Sequence, residues 1–253
     1  MLERGGVTAG WLRVVDGTAR RWADGTLLGE LARMEPDVAG AACTALRRAG
    51  TLRTHHRDEV MIMEGARSAY VLLLNGFAKV LTVDRSGMAA LTDIRTAGDV
   101  VGEIAAFDDA PRTATVVAAE RMVVRRIGQD EWLRWVQRDP AAGIAISRSL
   151  AYRSRVAARR LTEFRHGPVL VRLASAILDL GERYGEPVPG GFLVRPALTQ
   201  AEWGQLIGAR ERRVHHALHQ LSADGALTFA RRRITVHSLA TLRGIASWQG
   251  EPC

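Results

Sequence analysis

The chain has 253 residues, and its 47% hydrophobic content is enough to form the core of one large domain or of two modest ones. Its formal net charge of +8 at pH 7 indicates a polyanionic partner. Its two cysteines, Cys43 and Cys253, have no CxxC spacing, so we expect no disulfide framework, zinc site or iron–sulfur cluster, and no metal or redox cofactor. The first thirty residues lack the apolar core of a signal peptide and no apolar run approaches the roughly 18 to 20 residues that cross a bilayer, so we expect a cytoplasmic protein with no membrane partner.

The first half of the chain predicts two short helices followed by a β-rich domain. Residues 1–26 show no clear period and are predicted to be an N-terminal extension. Helical spacing follows, with a break at Pro36 and an end at Gly50. Short segments rich in Val, Ile, Leu and Thr then alternate with Gly, Asn and Asp turns, as in an all-β barrel or roll. The pair Asn75-Gly76 predicts a two-residue hairpin turn.

The stretch GEIAAFDDAPRTATVVA, residues 102–118, carries a candidate ligand site. Gly102 allows the backbone to approach a ligand, and free N–H groups in a turn can bind an anion. Arg112 has a planar fork that matches a phosphate, and Thr113 adds a hydroxyl. Glu103 can accept a hydrogen bond from a sugar hydroxyl and hold Arg112 in place. Together these groups suggest a cyclic nucleotide; the alternative is a surface salt bridge between Glu103 and Arg112 on a β-turn.

The period returns to 3.6 at Gln129, which predicts a short helix closed by Pro140 and a long helix from Ala141 to about Arg165. A narrow seam of small and apolar residues recurs along the long helix, at Ile144, Ser147, Leu150, Ala151, Ser154, Ala157, Ala158, Leu161 and Phe164. Arginines fill the remaining positions as a predicted solvated surface: Arg148, Arg153, Arg155, Arg159 and Arg160. The narrow seam favours a partner helix. The alternative is a helix packed only on its own domain.

The last third of the chain predicts a helix-turn-helix. His166-Gly167-Pro168 marks a hinge, and a Pro/Gly-rich link, GEPVPGGFLVRP, follows the next helix. Thr199 and Glu202 form a capping-box pattern that starts a helix ending before Gly208. A second helix is predicted from about Arg210 to Ser222.

Two faces of this second helix are distinguished by their residue types. Val214, Leu218 and Leu221 are predicted to face inward. The predicted outward residues are Arg212, His216, His219 and Gln220. This arrangement fits a recognition helix in the major groove, where an arginine can bind guanine. The alternative is an ordinary amphipathic surface helix. The segment LTFARRRITVH predicts a hairpin whose tip, Arg231 to Arg233, would contact phosphates.

The order and spacing of these motifs resemble a known family. GEIAAFDDAPRTATV resembles the phosphate-binding cassette of cyclic-nucleotide-binding domains, and LTQAEWGQLIGARERRVHHALHQLSADGAL resembles the family's DNA-binding motif. From about residue 27 to 245 the chain is similar to the cyclic-AMP receptor protein/fumarate-nitrate regulator (Crp/Fnr) family of bacterial transcription factors. The resemblance implies an α+β fold: a cyclic-nucleotide-binding β-roll over 27–139, a dimerisation helix over 140–166, a winged helix-turn-helix over 167–245 and a tail over 246–253.

The resemblance also implies site residues. The implied ligand-binding residues are Gly102, Glu103, Ile104, Ala105, Arg112, Thr113, Ala157 and Ala158. The last two stand where ligand-responsive members have hydroxyl or amide side chains that bind the purine, and neither alanine can form a side-chain hydrogen bond. The implied DNA-binding residues are Thr199, Gln200, Arg210, Arg212, Arg213, His216, His219, Gln220, Arg231, Arg232 and Arg233. At the start of the recognition helix the chain has Glu211-Arg212 where the family's best-known base-contacting pattern has Arg-Glu, so we do not transfer the familiar operator sequence.

The sequence thus predicts a homodimeric DNA-binding transcription regulator with cyclic AMP or cyclic GMP as the candidate effector. The implied partners are a roughly palindromic double-stranded DNA site, a second copy joined through residues 144–164, and RNA polymerase. One alternative is an orphan regulator that uses another effector or none. Another is the nucleotide-sensing regulatory subunit of an enzyme. The chain contains no nucleophile–base pair, metal-ligand cluster or P-loop lysine motif, so we do not expect an enzyme.

Overall fold

A computed structural model describes residues 22, 23, 25–67, 70–83, 87, 89–106 and 110–247. Most of the predicted N-terminal extension and of the predicted tail lies outside these residues, as does the side chain of Phe164. The chain divides into two compact units, one formed by Trp22–His166 with Gly204–Ala209, and the other by Gly167–Trp203 with the described residues from Arg210 onward.

The β-rich part of the first unit consists of two four-stranded antiparallel sheets. The first sheet has the order β1 (Thr51–His55), β8 (Met122–Ile127), β3 (Tyr70–Leu73) and β6 (Val100–Val101). The second has the order β2 (Val60–Ile62), β7 (Thr115–Ala118), β4 (Phe77–Val83) and β5 (Ala89–Thr96). Residues alternate along a strand, so Val71 and Leu73 of β3 join a core cluster that also includes residues of the second sheet.

The other face of β3 packs on helices. Tyr70 and Leu72 join an apolar cluster with α1 (Leu27–Ala32), α2 (Pro36–Arg48), α3 (Gln129–Arg138) and α4 (Pro140–His166). The Trp132 ring stacks on the Tyr70 ring at 5.1 Å between centroids. Trp135 donates its indole N–H to the carbonyl oxygen of Ala42 at 3.0 Å. The two predicted short helices and the long helix are therefore present, and they cover one side of the β-roll.

The predicted hairpin at Asn75-Gly76 is wrong. The strands on either side, β3 and β4, lie in different sheets, so this turn carries the chain from one sheet to the other. Gly76 has a φ of +70°, which fits the turn chemistry in the sequence. However, the Asn75 side chain accepts a hydrogen bond from the Val123 N–H at 2.7 Å, and the Leu74 N–H donates to the Val123 carbonyl oxygen. These two bonds attach the turn to β8.

The second unit is built around helix α5 (Val169–Tyr184), which packs against α7 (Glu211–Ala223) and α8 (Leu239–Ala246). Helix α6 (Gln200–Ile207) precedes α7. The four-stranded sheet of this unit has the order β11 (Leu227–Ala230), β12 (Arg233–Val236), β10 (Gly191–Leu193) and β9 (Glu186–Val188). No helix in the described part of the chain is both long enough and apolar enough to span a bilayer.

The Pro/Gly-rich link predicted before α6 is instead a hairpin. Strands β9 and β10 pair with each other, and β10 also pairs with β12, so the link completes the sheet of the predicted wing. Gly190 has a φ of +77° in the connecting turn. The buried Phe192 supplies the apolar side chain that ties this hairpin to the unit's core.

Two glycines of the first unit provide a matched test of the connection between α2 and β1. Gly50 has a φ of +65°, and a Cβ there would lie 2.1 Å from the carbonyl oxygen of Arg126. Gly40 lies inside α2, and a Cβ there would meet nothing within 4 Å. We expect Gly50→Ala to lower the free energy of unfolding by more than about 1 kcal/mol, because both backbone strain and a collision result. We expect Gly40→Ala to raise it by about 0.5 to 1 kcal/mol. Urea unfolding measures both, and shifts of the same sign would contradict this description.

Candidate functional site

A pocket opens at the start of β7 in the first unit. Six of the residues predicted to bind a ligand line it: Gly102, Glu103, Ile104, Ala105, Arg112 and Thr113. Its remaining wall is mainly apolar, with Ile62, Val80 and Val116 among the lining residues. One further charged side chain, Arg95, also lines the pocket and was not predicted.

Gly102 and Arg112 contact each other across the loop. The Arg112 Nη1 donates a hydrogen bond to the carbonyl oxygen of Gly102. Gly102 has a φ of +88°, and a Cβ there would lie 3.1 Å from the Arg112 Cζ, so only glycine fits this backbone without strain. The Arg112 guanidinium also lies over the Tyr70 ring, 4.6 Å from its centroid. This buried arginine is thus held in a fixed orientation beside the pocket.

Glu103 has a different partner from the one that the sequence predicts. Its carboxylate pairs with Arg153 of α4 and not with Arg112, so both the predicted support of Arg112 and the alternative surface salt bridge are wrong. Arg153 also pairs with Asp99, at 3.2 Å between Nη2 and Oδ1. The Arg153 side chain is only 11% exposed, which contradicts its predicted place on a solvated surface. Burial alone lowers the pKa of Arg153, but the charges of Glu103, Asp99 and Asp93 outweigh it and raise that pKa above its ordinary value.

A second group of charges joins α4 to β5. The Arg160 Nη1 lies 3.5 Å from the Asp93 Oδ1 and donates to the Thr92 carbonyl oxygen at 3.3 Å. Arg95 pairs with the other oxygen of Asp93 at 2.7 Å. Arg160 is therefore another arginine that the sequence analysis wrongly assigns to a solvated surface. The sequence did contain a signal for the pairing of Arg95 with Asp93, because residues two positions apart on a strand share one face of the sheet.

The remaining two predicted ligand residues are not brought to the pocket. Ala157 and Ala158 are both exposed on α4, and neither lines the cavity. They belong to an exposed stripe along α4 that also includes Ile144, which is 50% exposed, and Leu161, which is 57% exposed. Leu150 of the predicted seam instead packs partly against the core of its own unit.

The predicted capping box at the start of α6 is confirmed. The Glu202 carboxylate accepts from the Thr199 N–H at 2.7 Å, and the Thr199 hydroxyl oxygen accepts from the Glu202 N–H at 3.1 Å. The helix ends at Ile207, and Gly208 follows with a φ of +64°. Helix α7 then begins at Glu211 with Arg210 at its N-cap. A helix, a tight turn and a second helix therefore follow one another as predicted.

Helix α7 has the two faces that its sequence predicts. Val214, Leu218 and Leu221 are fully buried. The predicted DNA-binding residues of α7, its N-cap and the β11–β12 hairpin are all exposed: Arg210, Arg212, Arg213, His216, His219, Gln220, Arg231, Arg232 and Arg233. Thr199 and Gln200 are half-buried. The exposed face thus combines many guanidinium groups with Glu211 as its one acidic residue in α7.

His215 links the parts of this surface and was missed by the sequence analysis. Its Nδ1 lies 3.1 Å from the Gln200 Oε1, and its ring lies 4.5 Å from the ring of His219. His219 in turn contacts Phe229 of β11 edge to face, at 5.1 Å between centroids. The three rings join α7 to the wing, so His219 has a packing role in addition to its exposure.

Comparison with known proteins identifies both domains of the chain. Residues 52–139 match the family model of the cyclic nucleotide-binding domain, and residues 171–245 match that of the Crp-like helix-turn-helix domain, which together is more than half of the chain. The chain is 28% identical over 154 residues to the CRP-like cAMP-activated global transcriptional regulator of Mycobacterium tuberculosis (strain ATCC 25618 / H37Rv), covering 61% of this chain and 69% of that protein. It is 24% identical over 176 residues to the cAMP-activated global transcriptional regulator CRP of Salmonella typhimurium, covering 69% and 82%.

The fold is also found in solved structures. FixK2 from Bradyrhizobium japonicum superposes with a TM-score of 0.68 at 19% identity, over 80% of this chain and all of that one. A cyclic nucleotide-binding β-roll followed by a helix-turn-helix is the domain arrangement of a class of transcription regulators. Within that class, this chain belongs to the Crp/Fnr family.

The buried pairing of Arg153 predicts a large effect on stability. We expect Arg153→Met to lower the free energy of unfolding by roughly 3 to 5 kcal/mol, because it leaves two carboxylates buried without their partner. Arg155→Met, at an exposed position of the same helix, should change it by less than about 0.5 kcal/mol. Urea unfolding measures both variants. Adding Glu103→Gln to Arg153→Met should recover part of the loss, and equal losses for Arg153→Met and Arg155→Met would contradict the assignment.

Proposed function

We propose that the chain is a homodimeric, sequence-specific DNA-binding regulator whose DNA affinity is controlled by a cyclic nucleotide in the β-roll pocket. The observation that carries the proposal is the joint presence, in one chain, of a pocket lined by Arg112 and Glu103 and of an exposed basic surface on α7, its N-cap and the β11–β12 hairpin. The named relatives are transcription regulators activated by cAMP, which supports this function. Because the family consists of transcription regulators, it gives no support to the alternative of an enzyme's regulatory subunit, and we propose no catalytic activity.

The pocket residues have the chemistry that a cyclic nucleotide requires. Arg112 would bind the cyclic phosphate with its planar guanidinium, and Thr113 would donate its hydroxyl to the same group. Glu103 would accept a hydrogen bond from a ribose hydroxyl. Arg153 pairs with this carboxylate from α4 and so holds Glu103 at the pocket wall.

The exposed stripe of α4 supports dimerisation. Ile144 and Leu161 are both at least half exposed. Covering apolar surface with a partner is favourable by about 25 cal/mol for every Å² removed from water. We propose that a second copy packs on this stripe through residues 144–164. A two-fold dimer would require a roughly palindromic DNA site with half-site centres about 34 to 36 Å apart, or a multiple of that distance. RNA polymerase is the further partner that a regulator of this family would contact.

Two leucines with the same exposure test the dimer. Leu161 on α4 and Leu52 on β1 are each 57% exposed. We expect Leu161→Glu to yield a folded monomer, because the new carboxylates would repel each other and require burial at the α4 contact. We expect Leu52→Glu to remain a dimer. Light scattering measures the molar mass of both, and a dimeric Leu161→Glu variant would contradict a contact through α4.

Two arginines divide the proposed DNA contacts between bases and phosphates. Arg212→Ala should relax the preference at one base position in each half-site, at a penalty of about 1 to 3 kcal/mol for the preferred sequence. Arg232→Ala should weaken all duplexes alike and reduce the salt slope by nearly one unit. Arg243→Ala, on α8, serves as the control and should leave both quantities unchanged.

Selection of binding sites from random duplexes, followed by salt titration of each variant, measures these effects. If the wild type selects no symmetric site, or if Arg212→Ala and Arg232→Ala lose sequence preference equally, the proposed division between base and phosphate contacts is wrong.

A further inference from the structure

Arg95 is a charged pocket residue that the phosphate and ribose contacts do not use. It lines the same cavity as Arg112 and Glu103, and its side chain is 13% exposed. Its ion-pair partner among the described residues is Asp93, which Nη1 contacts at 2.7 Å. A guanidinium has five N–H donors, so most of the donors of Arg95 remain available to a ligand.

The strand register places Arg95 on the far side of the pocket from the phosphate-binding loop. Val116 of β7 pairs with Val80 of β4, and Val80 pairs with Asp93 of β5, so these three side chains share one face of the second sheet. Arg95 lies two residues beyond Asp93 and therefore shares that face. Neighbouring strands are about 4.8 Å apart, so β5 lies roughly 10 Å across the sheet from β7, and Thr113 lies two residues before the start of β7. Arg95 therefore lines the same pocket as Arg112 and Thr113, but from across the second sheet.

The environment of Arg95 fixes its orientation. Asp93 is held by its contact with Arg160 and by a hydrogen bond to its Oδ1 from the Ile94 N–H at 2.8 Å. The Asp93 carboxylate thus has a fixed position from which it orients the Arg95 fork.

The chemistry of a guanidinium distinguishes the two purines. Guanine presents two acceptors side by side, N7 and O6, which a guanidinium can bind with two parallel N–H bonds. Adenine presents the N7 acceptor beside the N6 amino group, which is a donor. The amino group would therefore meet an N–H of the guanidinium, and only one of the two hydrogen bonds could form. The α4 residues Ala157 and Ala158 are exposed and cannot form side-chain hydrogen bonds, so they offer no competing selection.

We propose that Arg95 binds the base of the nucleotide and selects guanine over adenine, so that the effector is a cyclic guanosine nucleotide. This inference rests on the proposed binding of a cyclic nucleotide in the pocket. It assigns base selection to strand β5 in place of helix α4.

Calorimetric titration of the full chain tests the inference with three probes: cyclic GMP, cyclic AMP and cyclic IMP. Hypoxanthine in cyclic IMP keeps N7 and O6 but lacks the guanine 2-amino group, so it isolates the proposed contact. We expect cyclic GMP and cyclic IMP to bind with similar affinity, and both to bind roughly ten- to a hundredfold more tightly than cyclic AMP. Arg95→Leu should abolish this preference while cyclic AMP affinity changes little. Arg95→Lys keeps the charge but not the fork, and it should retain only part of the preference.

The controls separate the possible outcomes. Arg53→Leu, at an exposed position of β1 in the other sheet, should leave all three affinities unchanged. Arg112→Ala should weaken all three nucleotides alike. If the wild type binds none of them, both the proposed effector and this inference are overturned. If they bind but cyclic AMP is equal or preferred, if cyclic IMP binds as weakly as cyclic AMP, or if a folded Arg95→Lys variant keeps the full preference, the role of Arg95 alone is overturned.

Discussion

The buried pairing of Arg153 with Glu103 and Asp99 constrains the first unit more than any other contact described above. Two carboxylates from the loop between β5 and β7 lie within the protein, and a guanidinium from the middle of α4 neutralises them. Removing one partner from such a group leaves an uncompensated buried charge, which is far more costly than losing a surface ion pair. The long helix therefore has a fixed position against the pocket. Glu103 belongs both to this group and to the pocket wall, so a ligand that changes its hydrogen bonds acts directly on α4.

This connection gives a physical basis for regulation. Helix α4 carries Arg153, which pairs with the pocket residue Glu103, and it also carries the exposed side chains of Ile144 and Leu161. A helix moves as a rigid body over short distances, so a shift of Arg153 relative to Glu103 also shifts the surface on which a second copy is proposed to pack. A ligand changes the equilibrium only through its different affinity for the two arrangements. The Glu103–Arg153 contact is a place where such a difference can arise.

Features that depend on neighbouring residues could be predicted from the sequence, and features that depend on distant residues could not. The capping box of Thr199 and Glu202, the positive φ at Gly102 and the buried face of α7 are each determined within a few residues. By contrast, Arg153 is 50 positions from Glu103, and Arg160 is 67 positions from Asp93. Helical periodicity alone places both arginines on a solvated surface of α4. It cannot reveal their carboxylate partners, because those residues are distant in the sequence. The prediction of a hairpin at Asn75-Gly76 is wrong for the same reason, because the hydrogen-bond partner of Asn75 is the distant residue Val123.

Occupancy of the β-roll pocket is proposed to change the affinity of the chain for DNA. Fluorescence anisotropy of a labelled duplex that carries the selected site, measured with and without a saturating cyclic nucleotide whose binding calorimetry has established, tests it most directly. We expect the nucleotide to change the duplex affinity by roughly fivefold or more, which is the size of ordinary coupling between two sites. Equal duplex affinity with and without the bound nucleotide would contradict it.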